Sequence, residues 1–141
     1  MHPPRPIFQN LSEAILFAEQ KVIAVIDDDL GILESLELLL SSCGYHTELF
    51  ASAEEFLNAA PTLEAACLIT DIHLGDISGV ELVRTLCAEG FTLPVIFITG
   101  SHDELHRRQA TELGCVAFLL KPFSAEPLIE AVAKAIGSKL N

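Results

Sequence analysis

A chain of 141 residues suits one domain and buries roughly 68–70% of its unfolded surface, enough for a full hydrophobic core. Half of its residues are hydrophobic and 20% are charged, which excludes a disordered chain. Eight basic residues against twenty acidic ones give a formal charge of -12, which argues against nucleic-acid binding by this chain.

In chain order, residues 1–6 read as a disordered start with no apolar signal core behind it, which argues against secretion. Leu11, Ile15 and Ala18 keep helical spacing and leave two readings for residues 11–20, an extra helix or a frayed extension. A β-branched apolar run over 22–26 is too short for a helix and predicts a strand. Residues 30–43 follow as a helix with Leu33, Leu36, Leu40 and Cys43 on one stripe and Gly44 as its stop. Residues 45–50 alternate polar and apolar side chains, so they are expected at a sheet edge.

Further apolar runs at 66–70, 95–99 and 115–120 predict strands covered on both faces. Between them lie helices that open with Ser-x-x-Glu: Ser52 with Glu55, Ser78 with Glu81 and Ser101 with Glu104. Ser124 is expected to cap the last helix, with Pro127 in its first turn. No apolar run is long enough to cross a bilayer. Cys43, Cys67, Cys87 and Cys115 form no C-x-x-C pair and read as structural thiols in a reducing compartment.

Five β-α units result over residues 21–138, with 1–20 as an extension and 139–141 as a tail. Alternating strands and helices with right-handed crossovers predict an α/β fold. It is a doubly wound five-stranded parallel sheet of flavodoxin-like order 2-1-3-4-5, with helices on both faces. Such a sheet places its site at the carboxyl ends of the strands, so the chemistry is sought at Asp27, Asp71, Thr99 and Lys121.

The first strand ends in Asp27-Asp28-Asp29 and its neighbour in Asp71, so carboxylates converge. Crowded carboxylates repel, and a hard divalent cation such as Mg²⁺ relieves the repulsion through oxygen ligands. Asp29 is read as the cap of the next helix, which leaves Asp27 and Asp28 for the metal. Thr99, beside Gly100, offers a hydroxyl to a phosphoryl oxygen, and Lys121 an ammonium to an anion. No Ser-His or Cys-His nucleophile stands out, and there is no Gly-rich phosphate loop. The best nucleophile is a carboxylate, Asp71, of the kind that forms acyl phosphates.

The stretches Val25-Ile-Asp-Asp-Asp29, Thr70-Asp-Ile-His-Leu-Gly-Asp-Ile-Ser-Gly79, Val95-Ile-Phe-Ile-Thr-Gly100 and Ala117-Phe-Leu-Leu-Lys-Pro-Phe123 together resemble the response-regulator receiver domains of two-component signal transduction. The resemblance covers about residues 21–138, and its specificity lies in the order and spacing of the four motifs. It implies a cytoplasmic switch in which Asp71 accepts a phosphoryl group from a sensor histidine kinase or a phosphotransfer protein. It further implies Mg²⁺ held by Asp28 directly, Asp27 through water, Asp71, and the backbone carbonyl of His73. Thr99 is implied as the switch hydroxyl, Phe118 as the switch aromatic, and Lys121 as the phosphate-pairing lysine before a cis proline bond. Such a domain turns over no foreign substrate but assists its own phosphorylation and dephosphorylation.

Two departures from the pattern are Gly75, where the family more often has Pro, which predicts a looser loop, and His73, read as an exposed loop residue. Arg107 and Arg108 read either as a solvated face or as part of a homodimer interface on the fourth helix and fifth strand of the alternation. The output is open between a stand-alone receiver and a fragment of a larger regulator, such as a DNA-binding one. A Mg²⁺-dependent phosphohydrolase is disfavoured because His73 stands where such enzymes carry a second Asp. A phosphorylation-independent binding module is disfavoured because no acid, Thr99 or Lys121 is lost.

Overall fold

A computed structural model of the chain describes residues 7–18, 21–137 and 139–140. The expected disordered start at residues 1–6 lies outside them. Five parallel strands form the central sheet: β2 (Val22–Ile26), β3 (His46–Phe50), β4 (Cys67–Asp71), β5 (Val95–Thr99) and β6 (Ala117–Leu120). Their order, β3-β2-β4-β5-β6, is the expected flavodoxin-like arrangement, with β2 and β4 side by side. The connecting helices are α2 (Leu30–Ser42), α3 (Ala53–Ala59), α4 (Gly79–Ala88), α5 (Glu104–Glu112) and α6 (Ala125–Ala135). No helix among the described residues is long and apolar enough to cross a membrane.

Two cores sit on the two faces of the sheet. Ile23, Val25, Ile69, Ile96 and Ile98 point to one face and meet Leu33, Leu36 and Leu40 of α2 and Leu128 and Val132 of α6. Ala24, Ile26, Leu68 and Phe97 point to the other and meet Phe56 of α3, Val80 and Val83 of α4, and Ala110 of α5. Strand alternation thus splits each continuous apolar run between two helix layers. Each fully buried Ile or Leu contributes about 1.5–3 kcal/mol. Cys67 belongs to the first of these cores, and burial pushes its thiol up to about 12. The described cysteines are all free, and Cys87 is exposed.

Three expectations need correction. The strand at 115–120 was grouped with those covered on both faces, but β6 is the far edge of the sheet and half-buried throughout. Its apolar side chains pack partly against both cores, Phe118 against one and Ala117 and Leu119 against the other. Helix α5 is capped by Asp103 rather than Ser101, because the Asp103 carboxylate lies nearer its first amides and accepts from Leu105 N at 2.8 Å. Ser124 holds the cap position of α6 with no side-chain hydrogen bond. The serine half of the box forms at Ser52 and Ser78, each hydroxyl accepting an amide three residues on at 3.1 Å.

Residues outside the alternation add two short strands. Ile7–Phe8 (β1) pairs in parallel with Lys139–Leu140 (β7), and α1 (Leu11–Ala18) lies between β1 and β2 in the chain. The extension is therefore a short strand followed by a helix over its described part, and the expected tail includes a strand.

Candidate functional site

The sheet brings the four strand ends together. Asp27 follows β2, and its amide donates to Phe50 O at 3.1 Å, which continues the pairing with β3 past the strand end. Asp71 is the last residue of β4, paired with Ile98. Thr99 ends β5 opposite Leu120, and the Lys121 amide donates to Thr99 O at 2.8 Å. Asp27 and Thr99 are fully buried, and Asp71 is buried.

Lys121 joins the acids. Its Nζ donates to Asp27 Oδ2 at 2.8 Å and to Asp71 Oδ2 at 2.7 Å. Each carboxylate spends its other oxygen on a backbone amide: Asp27 Oδ1 accepts from Asp29 N at 2.9 Å, and Asp71 Oδ1 from His73 N at 3.0 Å. Burial pushes the Asp27 carboxyl up, and the Lys121 ammonium and Asp29 amide only partly offset it. Burial pulls Lys121 down, but the two carboxylates outweigh it and hold the ammonium above its ordinary value. One cation thus serves two buried anions, so the site keeps an excess of negative charge. The Lys121–Pro122 bond is cis.

Asp28 is exposed at the rim, and one carboxylate oxygen from each of Asp27, Asp28 and Asp71 lies within 4.8 Å of the others. A set of three hard oxygen donors with excess charge suits Mg²⁺. Asp29 stands apart as expected: its Oδ1 accepts from Gly31 N at 2.8 Å and Ile32 N at 3.3 Å, capping α2.

The loop after Asp71 is built differently from the expectation of looseness. It closes on itself through the His73–Ser78 bridge and the bond from Gly79 N to Ile72 O at 2.8 Å. Gly75 has φ +90, which proline, fixed near -65°, does not reach. The loop tip is tied instead by Asp76, whose Oδ2 accepts from Glu54 N at 3.1 Å at the start of α3. Burial pushes the Asp76 carboxyl up, but the amides of Ile77, Glu54, Asp76 and Ala53 together outweigh it and bring it below the usual range.

The His73 side chain is exposed, and its ring meets that of His106 on α5 edge-on at 5.0 Å. Phe118 is half-buried on β6, with the Arg107 guanidinium 6.0 Å from its ring centroid. The Thr99 hydroxyl accepts from Ser101 N at 3.1 Å. Sequence reasoning missed the tie at Asp76 and the His73–His106 contact, since neither pair is near in sequence or marked by spacing. It also missed why position 79 is glycine: a Cβ there would lie 2.3 Å from the Asp71 carbonyl oxygen.

Known proteins share this arrangement. The model of the response regulator receiver domain matches residues 23–133. The response regulator protein TmoT of Ectopseudomonas mendocina is 36% identical over 118 residues, covering 84% of this chain and 54% of TmoT. The transcriptional regulatory protein FixJ of Azorhizobium caulinodans is 40% identical over 119 residues, 84% of this chain and 56% of FixJ. The crystal structure of full-length FixJ from B. japonicum superposes with a TM-score of 0.78 at 36% identity, covering 83% of this chain and 58% of that one. The chain spans about half the length of the curated relatives it matches. It belongs to the response regulator receiver domains, the phosphorylation-controlled signalling modules of two-component systems.

Proposed function

We propose that residues 21–138 form a switch in which Asp71 accepts a phosphoryl group from a sensor histidine kinase or phosphotransfer protein in the cytoplasm. The observation that carries this is Lys121 bridging Asp27 and Asp71, with Asp28 beside them at the sheet's carboxyl edge. A carboxylate oxygen of Asp71 attacks phosphorus, and the bond to the donor breaks with its electron pair leaving on the donor. Lys121 then pairs with a phosphoryl oxygen, and the His73 amide keeps the carboxylate aimed. Asp28 directly, Asp27 through water, Asp71 and the His73 carbonyl would hold Mg²⁺. That ion supplies neutralisation of charge on the transferring group. Thr99 swings its hydroxyl to the phosphoryl group, and Phe118 turns into the space left behind. The same groups admit water for the reverse hydrolysis.

The switched face is α5 and β6, where a second copy of the chain or another partner docks. FixJ is named a transcriptional regulatory protein. By that likeness the output is control of transcription through DNA-binding parts outside residues 21–138. Intact-mass measurement after treatment with a small phosphodonor tests the core of the reading. Wild type should gain one phosphoryl group only with Mg²⁺, and Asp71→Asn should gain none. Equal labelling of the Asn variant would refute it.

A further inference from the structure

Helix α5 carries two possible starts, and the structure uses one of them. Asp103 holds the cap position at φ -69 and ψ 112, and its Oδ1 accepts from Leu105 N at 2.8 Å. Two residues upstream stands Ser101, with Glu104 three residues beyond it. In that spacing the hydroxyl serves the helix's first amides, and the Glu carboxylate reaches back to the amide of the serine itself. The Ser101 hydroxyl is already turned to this task. It accepts from Asp103 N at 3.2 Å, which is the amide a cap at 101 would serve second in a helix beginning at His102.

The other half of the box is blocked, because the Ser101 amide donates to Thr99 Oγ1 at 3.1 Å. Thr99 and Glu104 therefore compete for one N–H. At 52–55 the equivalent glutamate reaches back over the helix start, one residue past the cap: Glu55 Oε2 accepts from Ala51 N at 2.9 Å.

The longer helix needs little rearrangement at Asp103. Its φ is already helical, and ψ alone must turn. The Leu105 amide would exchange the Asp103 carboxylate for the Ser101 carbonyl. Asp and Ser are caps of similar strength, so the two starts lie close in free energy and one hydrogen bond can choose between them.

We propose that Glu104 is a positioning residue of the switch. When the Thr99 hydroxyl turns to the phosphoryl group on Asp71, the freed Ser101 N–H passes to the Glu104 carboxylate and α5 then begins at His102. The inference rests on the reading of Thr99 as the switch hydroxyl. Its reach comes from the first turn of α5, where His106 meets the His73 ring and Arg107 lies near Phe118.

Backbone NMR and amide exchange on the full chain test it, with Mg²⁺ and with or without beryllofluoride as the phosphoryl mimic. In wild type the mimic should move the Cα shifts of His102 and Asp103 to helical values. It should also leave the Ser101 amide as slow to exchange as before, because Glu104 replaces Thr99 as its acceptor. Glu104→Ala should lose the helical shifts and, with the mimic, exchange the Ser101 amide faster, while Asp71 still labels with the phosphodonor, and Glu104→Gln, which also fits the box, should restore the wild-type behaviour. Thr99→Val removes the competing hydroxyl at nearly constant volume, so His102 and Asp103 should turn helical with no mimic present. Extended shifts at His102 and Asp103 in Thr99→Val, or a Glu104→Ala protein that responds like wild type, would overturn the handover. Failure of wild-type Asp71 to label would count against the phosphoacceptor reading instead, and the Thr99→Val arm, which needs no phosphoryl group, would still decide the handover.

Discussion

Asp28 and Asp29 are adjacent, chemically identical and assigned to different work. Asp29 spends Oδ1 on two amides of α2, while Asp28 stands exposed beside Asp27 and Asp71. Asp29→Ala should therefore cost about 1 kcal/mol of stability and leave Mg²⁺ affinity nearly unchanged. Asp28→Ala should weaken Mg²⁺ binding severalfold with little change in stability. A calorimetric Mg²⁺ titration and a urea midpoint for each variant separate the two roles. Reversal of the pattern would move the metal one residue along the triad. Gly79 makes a second residue-scale case. Its missing side chain lets the start of α4 lie against the Asp71 carbonyl. Gly79→Ala should cost roughly 1–3 kcal/mol through overpacking and should slow phosphodonor labelling by displacing the Asp71 backbone. Both effects are read from a denaturation curve and a labelling time course. The acids, Thr99 and Lys121 were legible because each closes an apolar strand run at the same edge of the sheet. The crowding at Gly79 was not, since it depends on how α4 comes to lie across the end of β4.

At the scale of elements, apolar runs and stop signals located each central strand to within two residues. Capping was legible where no second group competed for the same amides. Ser52 and Ser78 take their caps, and Asp76, two residues before Ser78, is turned away to Glu54 N. At α5, Ser101 and Asp103 lie two residues apart, and propensity alone ranks them about equal. At α6 the sequence supplies a serine in the right place, but no amide hydrogen bond follows. The difference is measurable. Ser78→Ala should cost about 1 kcal/mol, whereas Ser124→Ala should fall within about 0.5 kcal/mol of wild type. Chemical denaturation of both variants checks the contrast, and equal losses would show that Ser124 also caps in solution. The pairing of β1 with β7 was illegible for another reason. A two-residue strand has no period to read, and its partner lies at the opposite end of the chain.

Across the whole molecule, the cluster of strand-end groups is joined to the α5–β6 face by a few contacts. Thr99 lies on β5 between Asp71 on β4 and Phe118 on β6, and Arg107 sits 6.0 Å from the Phe118 ring. The inward turn proposed for Phe118 would take that ring from Arg107 and change both the charge and the apolar area offered by the face. Leu105, exposed on the same helix, supplies apolar surface for a partner. On the proposed reading the phosphoryl group acts by population shift, favouring the arrangement in which Thr99 reaches it. If a second copy docks on this face, wild type should dimerise when beryllofluoride is bound. Thr99→Ala should sediment alike with and without the mimic, since the link from phosphoryl group to surface is cut. Arg107→Glu should bind the mimic normally and weaken the dimer roughly tenfold, the size of a change of about 1.4 kcal/mol. Sedimentation velocity over a concentration series reads all three. A Thr99→Ala protein that dimerises on activation like wild type would remove Thr99 from the signal path. A wild type that stays monomeric with the mimic bound would remove the homodimer and leave a different protein as the occupant of the face.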